Sequence, residues 1–260
     1  MLLGWDVPHL QPVKEMDFMH SLLKAGEIKR NKSMPSQKSV HYEMRFMDES
    51  HLTETVKLQN IITHFLDDKE MFRTHSPEYF LEHFRIKNST IGTFTSEGLI
   101  GYSILYFPGD REDSFGFDIC LDGDDMDQVV HLATVAVHPA YRGNSLQRIM
   151  QGIHLEIAKG MGYEHACCMV SPKNRPSLQN IFWHGLMIKA LKLKFDHRLR
   201  YIMHKNLSHP LRDCHEEFKI NSWDLKTQFG LLNRGYIGLG MIESQDGFLI
   251  SYGKEGRSSA

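Results

Sequence analysis

Apolar residues follow two different spacings along this chain, one typical of strands and one typical of helices. Short apolar or alternating runs predict strands at residues 42–46, 90–95, 99–107, 130–137 and 164–171. A helix is predicted where apolar side chains share one face and glycines follow, at Leu146, Ile149, Met150, Ile153 and Ile157, then Gly160 and Gly162. The predicted order from residue 42 is a strand, two helices, three strands, a helix, a strand, a helix and two strands. Such an order is typical of an α/β protein.

The two ends of the chain depart from this pattern. Residues 24–40 are polar and basic and contain proline and serine, so 1–40 is predicted to be a flexible arm or one that docks through a short helix. The main domain is predicted to span 41–207. Residues 208–260 form an extension of unknown role that we expect to pack on the core, with a helix from Asp224 to Leu232 and a strand near residues 248–252. We see no sign of an internal repeat.

Composition excludes several classes of partner. The 260 residues carry a net charge of −2, which gives no general attraction to nucleic acid or to anionic membranes, and we expect neither as a partner. No apolar stretch approaches the roughly 18 residues that span a membrane, and the first residues do not read as a signal peptide. The four cysteines show no paired spacing and are typical of free thiols in a reducing compartment. The sequence therefore predicts a cytoplasmic protein.

The clearest candidate site is the stretch from His131 to Leu146, HLATVAVHPAYRGNSL. An apolar strand ends at Val137 and turns through Arg142 and Gly143 into a helix. The first N–H groups of a helix lack partners within it, and the positive end of the helix dipole points at the turn. This arrangement favours a bound phosphate or pyrophosphate, although Gly, Asn and Ser are also common in an ordinary turn.

These residues resemble the cofactor-binding segment of the GNAT superfamily, the acyl-CoA-dependent N-acetyltransferases, whose pattern is Q/R-x-x-G-x-G/A after a V-x-P strand end. Two positions depart from that pattern, because Ser145 replaces a glycine and Gln147 replaces a small residue. Glycine lets a backbone amide approach the pyrophosphate closely. We expect Ser145 to fit if its φ is negative, with its hydroxyl capping the helix or contacting a phosphate.

Two later segments carry the same resemblance. After the strand ending at Ser171, Asn174 is a suitable N-cap and Ser177 and Gly185 fall on family positions. Leu186 replaces the phenylalanine of the family's G-F pair. Ile181 stands where the family often has a tyrosine that protonates the leaving thiolate. The segment 198–207, RLRYIMHKNL, resembles the family's closing strand.

The resemblance implies a GNAT-like mixed, mostly antiparallel sheet with helices on both faces. It also implies acetyl transfer from acetyl-CoA, as co-substrate, to a primary amine by direct attack, in a monomer or homodimer. The acceptor is an amine-bearing small molecule or protein; the alternative function is an acyl-CoA-binding regulatory protein with little or no turnover. The cofactor-binding residues implied are Val135, Ala136, Val137, Arg142, Gly143, Asn144, Ser145, Leu146, Gln147, Asn174 and Ser177.

An alkylamine has a pKa near 10.4, so a group must take its proton before or during attack. His131 and Thr134 on the cofactor strand are the candidates for the base or for positioning a water molecule, because that strand has no glutamate. Ser177 and His184 are the candidate proton donors in place of the missing tyrosine.

Two other residue groups were considered as ligand sites. The sixteen histidines show no metal-ligand spacing, and we expect no metal. The acidic loop that contains Asp122, Asp124 and Asp125 does not match an EF-hand. It is either a solvated surface or a region that attracts a cationic amine.

Overall fold

The structure is a computed structural model that describes residues 22–30, 39–109, 111–195, 197–209, 214–245 and 247–255. The helices are α1 (Leu52–His64), α2 (Pro77–Phe84), α3 (Phe115–Asp118), α4 (Leu146–Gly160), α5 (Arg175–Trp183) and α6 (Leu225–Leu232). The strands are β1 (Leu22–Lys29), β2 (Ser39–Phe46), β3 (Thr90–Thr95), β4 (Gly98–Tyr106), β5 (Val129–Val137), β6 (His165–Val170), β7 (Met187–Lys194), β8 (Arg198–Asn206), β9 (Cys214–Asn221), β10 (Ile237–Ser244) and β11 (Gly247–Glu255). Within these ranges, no helix has both the length and the apolar character needed to cross a bilayer.

The strands form one sheet in the order β1-β2-β3-β4-β5-β6-β8-β7-β10-β11-β9. Neighbouring strands are antiparallel, except that β5 and β6 are parallel. Successive side chains of a strand point to opposite faces. On β4, Tyr102 packs with α1 and α2, whereas Ser103 hydrogen-bonds to His154 of α4. The mixed, mostly antiparallel sheet with helices on both faces is therefore confirmed.

The two parallel strands at the centre of the sheet separate along their length. They pair only at their beginnings, where Val129–His131 lie beside His165–Cys167. No ladder pairing between β5 and β6 follows among the described residues. A strand edge without a neighbour presents backbone N–H and C=O groups for other partners. The second half of β5 therefore offers such groups to a ligand.

The first strand lies where the sequence predicts an arm. β1 pairs with β2 along its length, and its Ile28 is buried. Residues 22–29 thus belong to the sheet, which corrects the assignment of the whole of 1–40 to an arm. The segment has too few apolar residues to show the alternation of a strand, because it is an edge strand supported by β2. The predicted docking helix falls mostly on 1–21, outside the described residues.

The C-terminal extension repeats the preceding part of the chain, contrary to our reading of the sequence. The unit β9-α6-β10-β11 has the same order of elements as β6-α5-β7-β8, and the two units lie as mirror images in the strand order. The helices begin alike, because Asn174 accepts a hydrogen bond from the N–H three residues on and Asp224 does the same. Gly185 and Gly235 follow at the same spacing, each with φ +79°. The sequence shows the repeat only at its caps and turn glycines, because the other side chains of the two units differ.

The extension is joined to the main domain by backbone pairing and by a shared core. β10 pairs with β7, where a Cβ on Gly238 would lie 2.9 Å from Cβ of Ile188, so glycine is required for this close approach. Leu231 and Ile250 lie in the same apolar cluster as Leu178 of α5. The helix and the strand predicted for the extension are confirmed, at Leu225–Leu232 and Gly247–Glu255.

Candidate active site

Two cavities lie where β5 and β6 separate. The first, about 630 Å³, is called here the turn cavity because the turn before α4 forms one wall. The second, about 760 Å³, is called the histidine cavity because His75, His83 and His131 line it. Met71, Phe72, Val135, Asn174 and Ser177 line both cavities. The cavities therefore share a wall at the middle of β5 and the start of α5.

The turn cavity brings together most of the residues that the sequence suggested for the cofactor. With one exception, Asn144, all of them line it: Val135, Ala136, Val137, Arg142, Gly143, Ser145, Leu146, Gln147, Asn174 and Ser177. The side chain of Asn144 is used elsewhere. It accepts a hydrogen bond from Lys29 N–H (3.1 Å) and donates to Lys29 C=O (2.7 Å), which ties the turn to β1.

The turn adopts a conformation that favours glycine at two positions. Gly143 has φ +81°, and Ser145, the N-cap of α4, has φ +61°. Ser145 therefore does not meet the condition of a negative φ, and of the two roles considered for its hydroxyl the helix cap is absent, because the hydroxyl makes no hydrogen bond to the helix. The N–H groups of the first turn of α4 consequently receive no acceptor from their own cap. They are available to an anion in the turn cavity.

Replacing Ser145 by glycine should raise the free energy of unfolding by about 1 kcal/mol, because an L side chain in the left-handed region costs about that much. Urea unfolding measures the change, and acetyl-CoA affinity should be unchanged or better. Ser145→Ala is the matched control, since it keeps Cβ and should give no such gain. An equal gain in the alanine variant would contradict the assignment of strain to the backbone.

Asn174 and Ser177 connect the start of α5 to its surroundings. Asn174 Oδ1 accepts a hydrogen bond from Ser177 N–H at 3.2 Å, and its Nδ2 donates to Met71 C=O at 3.4 Å. The Oγ of Ser177 accepts from Gln147 Nε2 at 3.4 Å. The predicted N-cap at Asn174 is confirmed. Ser177 thereby lies between α4 and α5 at the wall that the cavities share.

In the histidine cavity, Thr134 is at the centre of a small polar group. Its Oγ1 lies 3.1 Å from His75 Nε2 and 3.5 Å from Tyr79 Oη. His75 stacks on Tyr79, with ring centroids 3.8 Å apart and an interplanar angle of 14°. A bulge at Ala133 precedes Thr134, because Ile104 pairs with Thr134 while the next residue of β4 pairs with Leu132. Bulges of this kind redirect side chains beside functional sites.

The environment of His75 keeps its imidazole neutral. Burial, the positive charge of Arg73 and the neighbouring His83 together lower the pKa of His75 to about 4, with burial as the largest cause. Burial raises the pKa of the Tyr79 phenol. At neutral pH the group therefore consists of an uncharged imidazole, a hydroxyl and a protonated phenol. The three side chains carry no net charge at neutral pH. The neutral imidazole of His75 is able to accept a proton through the Thr134 hydroxyl.

His131 lines the same cavity but is committed to a structural contact. Its Nε2 accepts a hydrogen bond from Phe115 N–H at 3.0 Å, and its ring stacks on Phe115 with centroids 4.0 Å apart. Burial lowers the pKa of His131 to about 3. Because the Nε2 lone pair is already occupied, this geometry disfavours His131 as the base and favours Thr134 with His75.

Of the two predicted proton donors, only one lines the cavities. His184 lies buried at the end of α5 against Trp183 and lines neither cavity, whereas Ser177 lines both. Ile181, at the position of the family's tyrosine, is buried in the apolar core and reaches the histidine cavity. Within the ranges that the structure describes, no group of histidine, cysteine and acidic side chains has the arrangement of a metal site.

The acidic loop lies away from both cavities. Asp122, Asp124 and Asp125 precede β5, at the end where β5 and β6 are paired, and none of them lines either cavity. Asp125 lies instead 3.7 Å from His165 Nε2 at the start of β6. This placement favours the solvated surface over attraction of an amine.

No protein-family model matches the chain, and no curated protein sequence matches it. Among solved structures, an N-acetyltransferase from Staphylococcus aureus Mu50 superposes with a TM-score of 0.50 and 12% identity, over 64% of this chain and 98% of that one. A putative acetyltransferase from Salmonella typhimurium, yncA, solved with its cofactor acetyl-CoA, gives 0.48 and 17% over 64% of this chain and 94% of that one. A GNAT-family acetyltransferase from Streptococcus pneumoniae gives 0.49 and 16% over 64% and 98%. The match to the Staphylococcus aureus structure shows that this chain has the fold of an N-acetyltransferase.

Proposed function

We propose that this protein is an N-acetyltransferase that transfers the acetyl group of acetyl-CoA to a primary amine by direct attack. The observation that carries the proposal is the shared wall of the two cavities at Val135. On one side of this wall lies a helix N-terminus suited to phosphates, and on the other lies the Thr134–His75 pair suited to an amine. A transfer reaction needs such an arrangement, because donor and acceptor must meet in one place.

The turn cavity has the chemistry to hold acetyl-CoA, which supplies an activated acyl group as a thioester. The first N–H groups of α4, together with Arg142 and Arg148, would bind the phosphates. The unpaired edge of β5 over Val135–Val137 would pair with the amide groups of the pantetheine arm. Asn174 and Ser177 would complete the wall from α5.

On the acceptor side, Thr134 and His75 would handle the proton. Thr134 Oγ1 accepts a hydrogen bond from the amine and donates its own proton toward His75 Nε2, 3.1 Å away. A base with a pKa near 4 is weak. Transfer to this base becomes easier during attack, because an amine N–H gains acidity as the nitrogen bonds to a carbonyl carbon. Ser177, at the shared wall, would donate a proton to the departing thiolate.

A protein that binds acyl-CoA and turns it over slowly or not at all is the second candidate. Two observations favour it: the side chain at Ser145 in the left-handed turn and the apolar Ile181 in place of a general acid. The loss of one general acid typically slows a reaction by about 10²–10⁴-fold without abolishing it. Acetyl transfer therefore stays the first proposal.

Acetyl-CoA at a hundredfold excess over its Kd should stabilise the native protein by about 2.7 kcal/mol, because it binds only the folded state. A thermal unfolding series against acetyl-CoA concentration measures this effect. Acetyl-pantetheine, which lacks the phosphates, is the matched control and should stabilise much less. Absence of any shift at millimolar acetyl-CoA would contradict cofactor binding. A shift without release of the CoA thiol for any amine in a broad panel would favour the regulatory alternative.

A further inference from the structure

The histidine cavity has a strongly cationic wall. Five cationic side chains line it among the described residues, Lys69, Arg73, Arg111, Arg198 and Arg200, against two carboxylates, Glu82 and Asp113. An amine acceptor is itself a cation in solution, so this wall opposes the binding of a simple alkylamine. The cavity is therefore built for an acceptor that carries negative charge as well.

Both carboxylates are already engaged within the protein. Glu82 lies 3.5 Å from the guanidinium of Arg111. Asp113 accepts hydrogen bonds from Tyr106 Oη at 3.1 and 3.2 Å. Glu82 thus offsets Arg111, and neither carboxylate forms an ion pair with Arg73 or Arg198.

Arg73 is held at this wall by stacking. Its guanidinium carbon lies 3.7 Å from the ring centroid of Phe195, in the hairpin between β7 and β8. Stacking on an aromatic ring holds a guanidinium in place while leaving its N–H edges available for a carboxylate or phosphate. Within the described ranges, no carboxylate lies within 4.0 Å of a side-chain nitrogen of Arg73 or Arg198.

The same hairpin places two more arginines beside Arg73. Arg198 and Arg200 lie two residues apart on β8, so their side chains point to the same face of the sheet, and both line the cavity. Arg200 is only 9% exposed. Arg200 already has partners within the protein, and one of its guanidinium nitrogens donates to the carbonyl oxygen of Leu199 at 2.8 Å. Arg73, Arg198 and Arg200 together form a cationic wall of the cavity that also contains Thr134 and His75.

We propose that the acceptor is a small amine that also carries an oxyanion, a carboxylate or a phosphate, which Arg73 and Arg198 bind while Thr134 receives the amine. This inference rests on the proposed acetyl transfer. The amine nitrogen forms the new bond to the acetyl carbon, the carbon–sulfur bond breaks, and the nitrogen loses one proton to the Thr134–His75 pair while the thiolate gains one. The oxyanion takes no part in these bond changes and serves to orient the acceptor.

Occupation of this wall also affects the proton acceptor. The charge of Arg73 contributes to the lowered pKa of His75. An oxyanion bound to Arg73 would offset that charge and so raise the pKa of His75, while burial, the larger cause, would still hold it below its ordinary value. The correct acceptor would thus improve the base that deprotonates it, whereas an amine without an oxyanion would not.

The test compares free amino acids with their carboxamides, and phosphoethanolamine with ethanolamine, with rates expressed per concentration of neutral amine because the two members of a pair differ in amine pKa. Turnover is followed by release of the CoA thiol. The wild-type protein should prefer one oxyanion-bearing member over its neutral partner by about tenfold to a hundredfold in kcat/KM, the range expected for hydrogen bonds to a charged group. Which pair shows the preference distinguishes a carboxylate from a phosphate. Equal turnover within both pairs would overturn the proposal.

Variants of the two arginines test whether their side chains bind the oxyanion of the acceptor. Arg73→Gln and Arg198→Gln should each raise KM for the preferred acceptor by about tenfold or more and leave its neutral partner within about threefold. Lys192→Gln is the control, because Lys192 pairs with Arg200 across the β7–β8 hairpin but lines neither cavity. Equal losses for both members of a pair would overturn the assignment of these arginines.

Thermal stabilisation by acetyl-CoA is measured on every variant and should be unchanged. If acetyl-CoA binds but no acceptor is turned over, the same compounds are titrated calorimetrically into CoA-loaded protein, which measures whether acceptor binding depends on the oxyanion. Oxyanion-dependent binding that is lost in Arg73→Gln would support the proposal, and its absence would overturn it. Absence of acetyl-CoA binding would instead contradict the proposed function itself.

Discussion

Replacing His75 by glutamine should lower kcat by about a hundredfold or more, because positioned acid–base groups typically contribute 10²–10⁴-fold. His75 contacts Thr134 through Nε2 at 3.1 Å, and glutamine keeps a polar side chain of similar length but cannot take up a proton at neutral pH. The acetyl-CoA affinity should be unchanged, since His75 does not line the turn cavity. Steady-state kinetics with the best acceptor and a thermal shift with acetyl-CoA measure the two quantities separately.

Thr134 provides the matched variants for this experiment. Thr134→Val keeps the shape and removes the hydroxyl, so it should lose activity to a similar extent, whereas Thr134→Ser should retain most of it. If Thr134 and His75 act as one relay, the double variant His75→Gln/Thr134→Val should be about as slow as either single variant. If the loss in the double variant equals the product of the two single losses, the residues act independently, which would contradict the relay.

The pH dependence gives a further check on His75. Only its neutral form accepts a proton, and burial holds its pKa at about 4, below the ordinary value. Below the pKa of the amine, near 10.4, activity should fall about tenfold per pH unit, and a second, steeper fall should begin only as pH approaches the pKa of His75 in the complex. The glutamine variant should lose this limb while keeping the fall that arises from protonation of the amine.

The turn cavity could largely be predicted because its residues are nearly contiguous. A strand, a turn and a helix bring Val135 and Gln147 to one place through local geometry alone. The conformation of Ser145 was missed for the opposite reason, because serine normally avoids positive φ and nothing in the sequence signals the strain. Asn144 was assigned to the cofactor because only the tertiary structure shows its pairing with Lys29.

The histidine cavity was predicted only in part, since it combines segments distant in sequence. Thr134 was identified from its strand, but its partner His75 lies in the loop before α2 and carries no motif. His131 was chosen because it shares that strand, and only the structure shows that Phe115 occupies its Nε2. Arg198 and Arg200 of β8 also line this cavity, and Arg200 is buried there.

The C-terminal repeat unit contains the feature for which we expect the largest effect on stability. Gln228 of α6 is fully buried, and its Oε1 accepts hydrogen bonds from Tyr201 of β8 and from Tyr252 of β11, the latter at 2.8 Å. Its Nε2 donates to the carbonyl oxygens of Asn221 and Ser222 at 2.8 and 3.2 Å. One side chain thus joins the repeat unit to the closing strand of the main domain.

Gln228→Leu should lower the free energy of unfolding by about 3–5 kcal/mol, because it leaves two buried phenol groups and two carbonyl oxygens without their partner, at about 1–3 kcal/mol for each unsatisfied group with partial relaxation. Urea unfolding followed by circular dichroism measures the loss. The triple variant Gln228→Leu/Tyr201→Phe/Tyr252→Phe is the matched control. It should recover much of the stability, since removing donors and acceptor together leaves fewer unpaired polar groups. The transition should stay single in all variants, because the unit shares its apolar core with α5. A small loss, or separate unfolding of the repeat unit, would show that the extension is only loosely attached to the main domain.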